Sequence, residues 1–115
     1  MTDKVFYLFS YGTLQFEHVQ RKLFGRSLTH VPDRLSGFVI DSIVIADPDV
    51  VATSGAETHK ILRRADALAS PIHGFALEVT TADLPAVDDY EGTNYARIVV
   101  TLDSGRQAFA YVAPE

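Results

Sequence analysis

The sequence contains no cysteine. Disulfides and thiolate metal sites are therefore excluded in any compartment. No apolar run approaches the ~20 residues that a membrane helix requires. No secretory leader is read at the N-terminus, where Asp3 and Lys4 precede only the short run Val5–Phe9. The expected setting is cytoplasmic, away from a membrane. Basic residues are also scarce. Ten Lys and Arg stand against fifteen Asp and Glu, a net charge of −5, and Arg63-Arg64 is the one adjacent Arg pair. That balance argues against a nucleic-acid partner, whose phosphates demand clustered cations. The four histidines, His18, His30, His59 and His73, have no metal-ligand spacing, so no metal is expected. Serine-nucleophile, P-loop and dinucleotide-binding motifs are missing, and no cofactor is expected.

What is present is an ordinary core. Of 115 residues, 47% are hydrophobic and 22% charged, enough apolar surface to offset the entropy of ordering. The length suits one domain spanning 1–115.

Val5–Ser10 reads as a central strand, nearly all apolar and covered on both faces. It breaks into a polar loop, Tyr11-Gly12-Thr13-Leu14. Phe16–Phe24 has helical spacing and Gly25 as its stop. Leu35–Ile45 is β-rich, as one long strand or two short ones, with Gly37 as a bend point. Asp47–Glu57 carries turn signals, and His59–Ala69 reads as one or two helical turns. Ile72–Val79 is a strand. Thr80 and Asp83 have capping-box spacing, so a helix is expected from near Thr81 to the stop at Gly92, with Pro85 in its first turn. Tyr95–Leu102 and Gln107–Ala113 form a hairpin around a polar turn containing Gly105. Two short helices are too few to cover a parallel sheet. The expected class is α+β: a small, mixed, curved and barrel-like sheet with short peripheral helices.

Two stretches carry candidate chemistry. Glu91 ends the second helix, where the negative end of the dipole and the neighbouring Asp88 and Asp89 disfavour its charge. Burial beside Tyr90 and Tyr95 would add to that, giving a carboxyl suited to general-base work near neutral pH. An acidic helix end is also ordinary solvated surface. In the Tyr11–Leu14 loop, Gly12 can serve a turn at positive φ. Equally, the loop amides and the helix after them can cradle an anion. Tyr95 fits either a core or a pocket wall. Arg97 is expected to pair with Asp88 or Asp89 as a structural tie.

Together, "FSYGTLQ" and "VDDYEGTNYARIVVTL" resemble the substrate loop and the acidic segment of the γ-glutamylcyclotransferase-like family. That family includes γ-glutamylamine cyclotransferases and AIG2-like proteins. "LSGFVI" and "IHGFALEV" sit where the family places sheet strands. The resemblance implies a barrel-like β fold around a cavity and a cofactor-free enzyme. The α-amine of a small γ-glutamyl amine or peptide attacks its own γ-carbonyl, giving 5-oxoproline and a free amine. It implies Glu91 as the general base and acid, and Tyr11, Gly12, Thr13, Leu14 and Tyr95 as substrate contacts. Asp47–Pro71 shares little with the Gly- and Pro-rich segment of many relatives. The alternative is a non-catalytic module of the same fold that binds a small carboxylate.

Overall fold

A computed structural model describes residues 5–56, 58–66 and 69–114. The elements run β1 (Val5–Ser10), α1 (Glu17–Phe24), β2 (His30–Leu35), β3 (Phe38–Val44), α2 (Pro48–Ser54), β4 (Thr58–Arg64), β5 (Ile72–Thr80), α3 (Leu84–Glu91), β6 (Ala96–Thr101) and β7 (Gln107–Val112). Five strands form a mixed sheet in the order β2-β5-β1-β7-β6, and β3 pairs with β4 in a separate ribbon.

β1 is the sheet's centre, antiparallel to β5 and parallel to β7. Its side chains alternate between two cores, as a strand covered on both faces requires. Leu8 joins one core with Val19, Leu77, Val87 and Tyr90, under the helices. Phe9 and Tyr11 join the other with Leu35, Phe38, Leu62, Ala108 and Ala110, on the inside of the curved sheet. That inner core draws on all seven strands, which is the barrel-like α+β arrangement expected from the sequence.

The edge strands β2 and β6 do not share a ladder, but the curvature brings β2 to the β6–β7 turn. The Asp103 amide donates to the Arg34 carbonyl at 2.8 Å. The buried Asp33 carboxylate accepts from Ser104 Oγ at 2.6 Å and from Arg106 at 3.2 Å. Burial works to raise the Asp33 pKa, but hydrogen bonds from Ser104, the Arg34 amide and Arg106 together hold it below the usual carboxylate range. On the other side the Ala113 amide reaches the Leu62 carbonyl at 2.8 Å, tying the ribbon to the end of β7.

Several boundaries differ from those read in the sequence. The Leu35–Ile45 stretch is split at Gly37, whose φ of 88° bends the chain. The strand before it begins earlier, at His30, and holds Pro32. Proline is tolerated there because β2 is an edge strand. The Asp-Pro turn signal starts a helix: Asp47 Oδ1 accepts from the Asp49 amide at 2.9 Å, capping α2. The expected helical turns at His59–Ala69 are overturned, since Thr58–Arg64 is β4, paired along its whole length with β3. Residues 67 and 68 of that stretch lie outside the described residues. Its Lys, Leu and Arg favour a helix, but pairing and burial of His59, Ile61 and Leu62 override propensity. The capping box delivers only half its bonds. Asp83 accepts from the Thr80 amide at 2.8 Å, yet the helix begins at Leu84 rather than near Thr81. Asp83 instead pairs with Arg26 at 2.8 Å, joining α3 to the chain just past α1.

Gly74 marks the tightest approach in the sheet. A Cβ there would stand 2.3 Å from the Ser10 carbonyl oxygen and 2.9 Å from the Phe9 ring. Backbone within a three-strand ladder cannot yield cheaply. Gly74→Ala should therefore cost about 1–3 kcal/mol, as overpacking does. Urea denaturation at neutral pH measures it, and a loss below ~0.5 kcal/mol would show that β1 gives way.

Candidate active site

β1 has hydrogen-bonded neighbours on both sides, and the chain leaves the sheet where it ends, after Ser10. It passes Tyr11 and Gly12 and enters a single 3₁₀ turn, Thr13–Gln15, before α1. The amides of Gln15 and Phe16 close that turn onto the Gly12 and Thr13 carbonyls. The amides of Gly12, Thr13 and Leu14 bond to no described residue, as the first amides of a helical turn do not. Gly12 has φ of −139°, so the positive φ offered as its reason is not found. The nearest atom to an added Cβ is Lys60 Cβ, at 4.0 Å. Crowding does not require glycine there.

The loop is held from two sides. Buried Gln20 on α1 donates to the Leu14 carbonyl at 2.8 Å and accepts from the Leu28 amide at 2.9 Å. Thr13 Oγ1 and the Tyr90 hydroxyl share a hydrogen bond of 2.8 Å, joining the loop to α3. Glu91 follows Tyr90, and Gly92 ends the helix with φ of 67° and ψ of −158°, a conformation that side chains resist.

These constraints bring Tyr11, Gly12, Thr13, Leu14, Glu91 and Tyr95 around one narrow cleft, with a free volume of about 20 Å³. Leu14 and Tyr95 also belong to the core under the helices, so Tyr95 is core and wall at once. Its hydroxyl donates to the Lys60 carbonyl at 2.8 Å. The Tyr11 hydroxyl donates to the Tyr111 carbonyl at 2.5 Å. Glu91 borders a second cleft as well, with a free volume of about 120 Å³, whose lining includes Ile45, Asp47 and Val50.

Burial raises the pKa of the Glu91 carboxyl to about 8. The dipole and acidic neighbours invoked from the sequence are not what moves it. Asp88 is occupied elsewhere, by Arg97 at 3.2 Å and by the Tyr111 hydroxyl at 2.5 Å, the structural tie expected of Arg97. No described residue donates a hydrogen bond to the Glu91 carboxylate, so desolvation acts unopposed. The phenols around it are pushed up by their own burial and, for Tyr11 and Tyr95, next by the Glu91 charge. Burial also pushes the His59 imidazole below its usual range. The tyrosine and histidine walls near Glu91 are thus neutral, and the exposed residue Lys60 lines the same cleft.

A family model described as gamma-glutamyl cyclotransferase, AIG2-like, matches residues 8–115. The chain belongs to this family. No curated protein matches it. Among solved structures, a gamma-glutamyl cyclotransferase superposes with a TM-score of 0.75 at 15% identity, over 97% of this chain and 68% of that one. An Arabidopsis thaliana protein gives 0.73 at 20% identity, over 98% and 66%. An uncharacterized Homo sapiens protein gives 0.72 at 15% identity, over 98% and 69%. The chain thus spans about two thirds of the length of these relatives, and at such identities they speak for the fold. No helix among the described residues is long and apolar enough to cross a membrane.

Other cleft residues escaped the sequence reading: Phe9, Ser10, His59, Lys60 and Tyr111. His59 and Lys60 arrive on β4, which was read as helix. The run of His59, Ile61 and Leu62 against exposed Thr58 and Lys60 alternates too briefly to announce a strand.

The displaced Glu91 pKa has a measurable sign. Between about pH 4.5 and 8 the unfolded chain has released this proton while the folded chain keeps it. Stability contributed by this group therefore falls as pH rises through that window and is level above it. Glu91→Gln should match the wild type below the window and exceed it by on the order of a few kcal/mol above it. Thermal melts from pH 4 to 9 test this; equal stability at pH 8.5 would show a solvated carboxylate.

Proposed function

We propose that this protein cyclises the γ-glutamyl group of a γ-glutamyl amine or peptide, releasing 5-oxoproline and the amine. The observation that carries the reading is one cleft holding both a desolvated carboxyl, Glu91, and a loop with open amides, Gly12–Leu14.

The nucleophile belongs to the substrate. Its α-ammonium must lose a proton before its nitrogen can attack the γ-carbonyl carbon. Glu91, once ionised, takes that proton. The new C–N bond closes a five-membered ring, and the γ-carbonyl oxygen gains negative charge. As the ring carbonyl re-forms, the bond to the departing amine breaks, Glu91 returns the first proton to the leaving nitrogen, and the second proton shed by the ring nitrogen passes through solvent to the released amine, which leaves as an ammonium ion. One carboxyl serves as base and then acid, with no net change in the protein. Open amides at Gly12–Leu14 suit either the substrate's α-carboxylate or the developing oxyanion. Lys60, which lines the same cleft, favours the anionic end of the substrate there. The second cleft beside Glu91 is where the released amine is expected. Holding the flexible glutamyl chain bent supplies much of the acceleration by proximity.

The test is a panel of γ-glutamyl amines and peptides with 5-oxoproline as readout. Wild-type protein should form it, and Glu91→Gln should be slower by about 10²–10⁴-fold. A barren panel, or full activity in the variant, refutes the reading. Stabilisation by 5-oxoproline without turnover would favour a binding module. The kcat/KM should rise with pH through about 8, where free Glu91 ionises. A profile already flat below pH 6 would mean that another group is the base. Gly12→Ala should change stability by less than about 1 kcal/mol, since nothing crowds that position. On this reading it should raise KM by about tenfold, because the added methyl group narrows the cleft that Gly12 lines. An unchanged KM would exclude the loop from binding.

A further inference from the structure

Ser10 is the last residue of β1, and it is only 2% exposed. Strand alternation puts its side chain on the face that Leu8 presents to the helices, opposite Phe9 and Tyr11. It borders the cleft that holds Glu91 and the Tyr11–Leu14 loop. Its hydroxyl oxygen is shut off from solvent and has no hydrogen-bond partner, the one such buried side-chain atom found among the described residues. A buried hydroxyl left in that state costs about 1–3 kcal/mol. Alanine would fit the same position without that cost.

The other polar side chains nearby are satisfied from within the protein. The hydroxyls of Tyr11, Tyr90, Tyr95 and Tyr111 each have a partner within 2.8 Å. Thr13 is bonded to Tyr90, and His59 to Ser54 at 3.0 Å. Ser10 alone among them keeps both a free donor and free lone pairs. No described residue satisfies it, and rotation about χ1 from one staggered well to another would turn it toward a guest in the cleft that Ser10 lines.

We infer that the Ser10 hydroxyl is a ligand contact, hydrogen-bonding the glutamyl head of the bound substrate. The proposal rests on the cyclotransferase reading of the cleft. It adds a side-chain contact to a binding loop otherwise made of backbone amides. Ser10 precedes that loop directly, so it reaches the portion of the molecule that substrate and 5-oxoproline share. Its contribution should then not depend on the identity of the departing amine.

Ser10→Ala separates this role from a structural one, because the two predict opposite changes. The variant should melt at the same temperature as the wild type or higher, since it loses an unpartnered polar group. Its affinity for 5-oxoproline, measured by calorimetric titration, should fall about five- to tenfold. Its kcat/KM should fall by a similar factor for every γ-glutamyl compound that the wild type turns over, whatever the amine. A lower melting temperature would overturn the proposal, since the hydroxyl would then have a structural partner. Unchanged affinity and kcat/KM in an active protein would overturn it and leave the cyclotransferase reading standing. A loss confined to some amines would also overturn it, by moving Ser10 to the leaving-group side. A wild type that neither binds nor forms 5-oxoproline refutes the reading of the cleft, and the assignment of Ser10 falls with it.

Discussion

Gly74 is where the fold has no slack. β5 must pass close enough for Ser10 and Phe9 to occupy the space of a missing side chain. This contact sets the height at which β1 ends between its two neighbours. The exit point of the chain follows, and with it the place of the Tyr11–Leu14 loop. Gln20 and Tyr90 then hold the loop where β1 delivers it. A glycine two strands' width from the carboxyl thus contributes to the geometry of the cleft.

The legible parts of the sequence were those with local causes. β1 declared itself through its apolar run, and α1 and α3 through their spacing and glycine stops, whereas α2 was read as a turn. The turn of the last hairpin was equally plain. Two motifs, eighty residues apart, carried the family and named six residues that do share one cleft. What could not be read depends on distant partners. β4 has helical propensity and is a strand because β3 lies beside it. Nothing local in the sequence marks Asp33, yet it is buried where the two sheet edges meet. The pKa of Glu91 was expected to rise, but for the wrong leading reason. Local charges are visible in a sequence, whereas desolvation is made by whatever packs around the group.

Two polar groups in this cleft oppose folding. Glu91 is half-buried with no donor among the described residues, and Ser10 is buried without a partner. A core selected for stability alone would hold neither. The rest of the cleft is built the other way, with each tyrosine hydroxyl bonded. That contrast separates the groups that shape the cleft from those left open to whatever enters it. It also places the functional argument on energetics as well as on family membership.

The buried carboxyl links occupancy of the cleft to the solvent's proton supply. At neutral pH most molecules hold Glu91 protonated, since its pKa stands near 8. A cation coming to rest against it lowers that pKa and expels the proton. Charge entering the cleft is thereby exchanged for charge leaving it, and the interior stays close to neutral throughout. Association then draws on the buffer: its apparent heat includes the buffer's own heat of protonation, and acidification weakens it by mass action. A neutral visitor triggers no such exchange, so an amine and its isosteric amide should differ in the protons released on association.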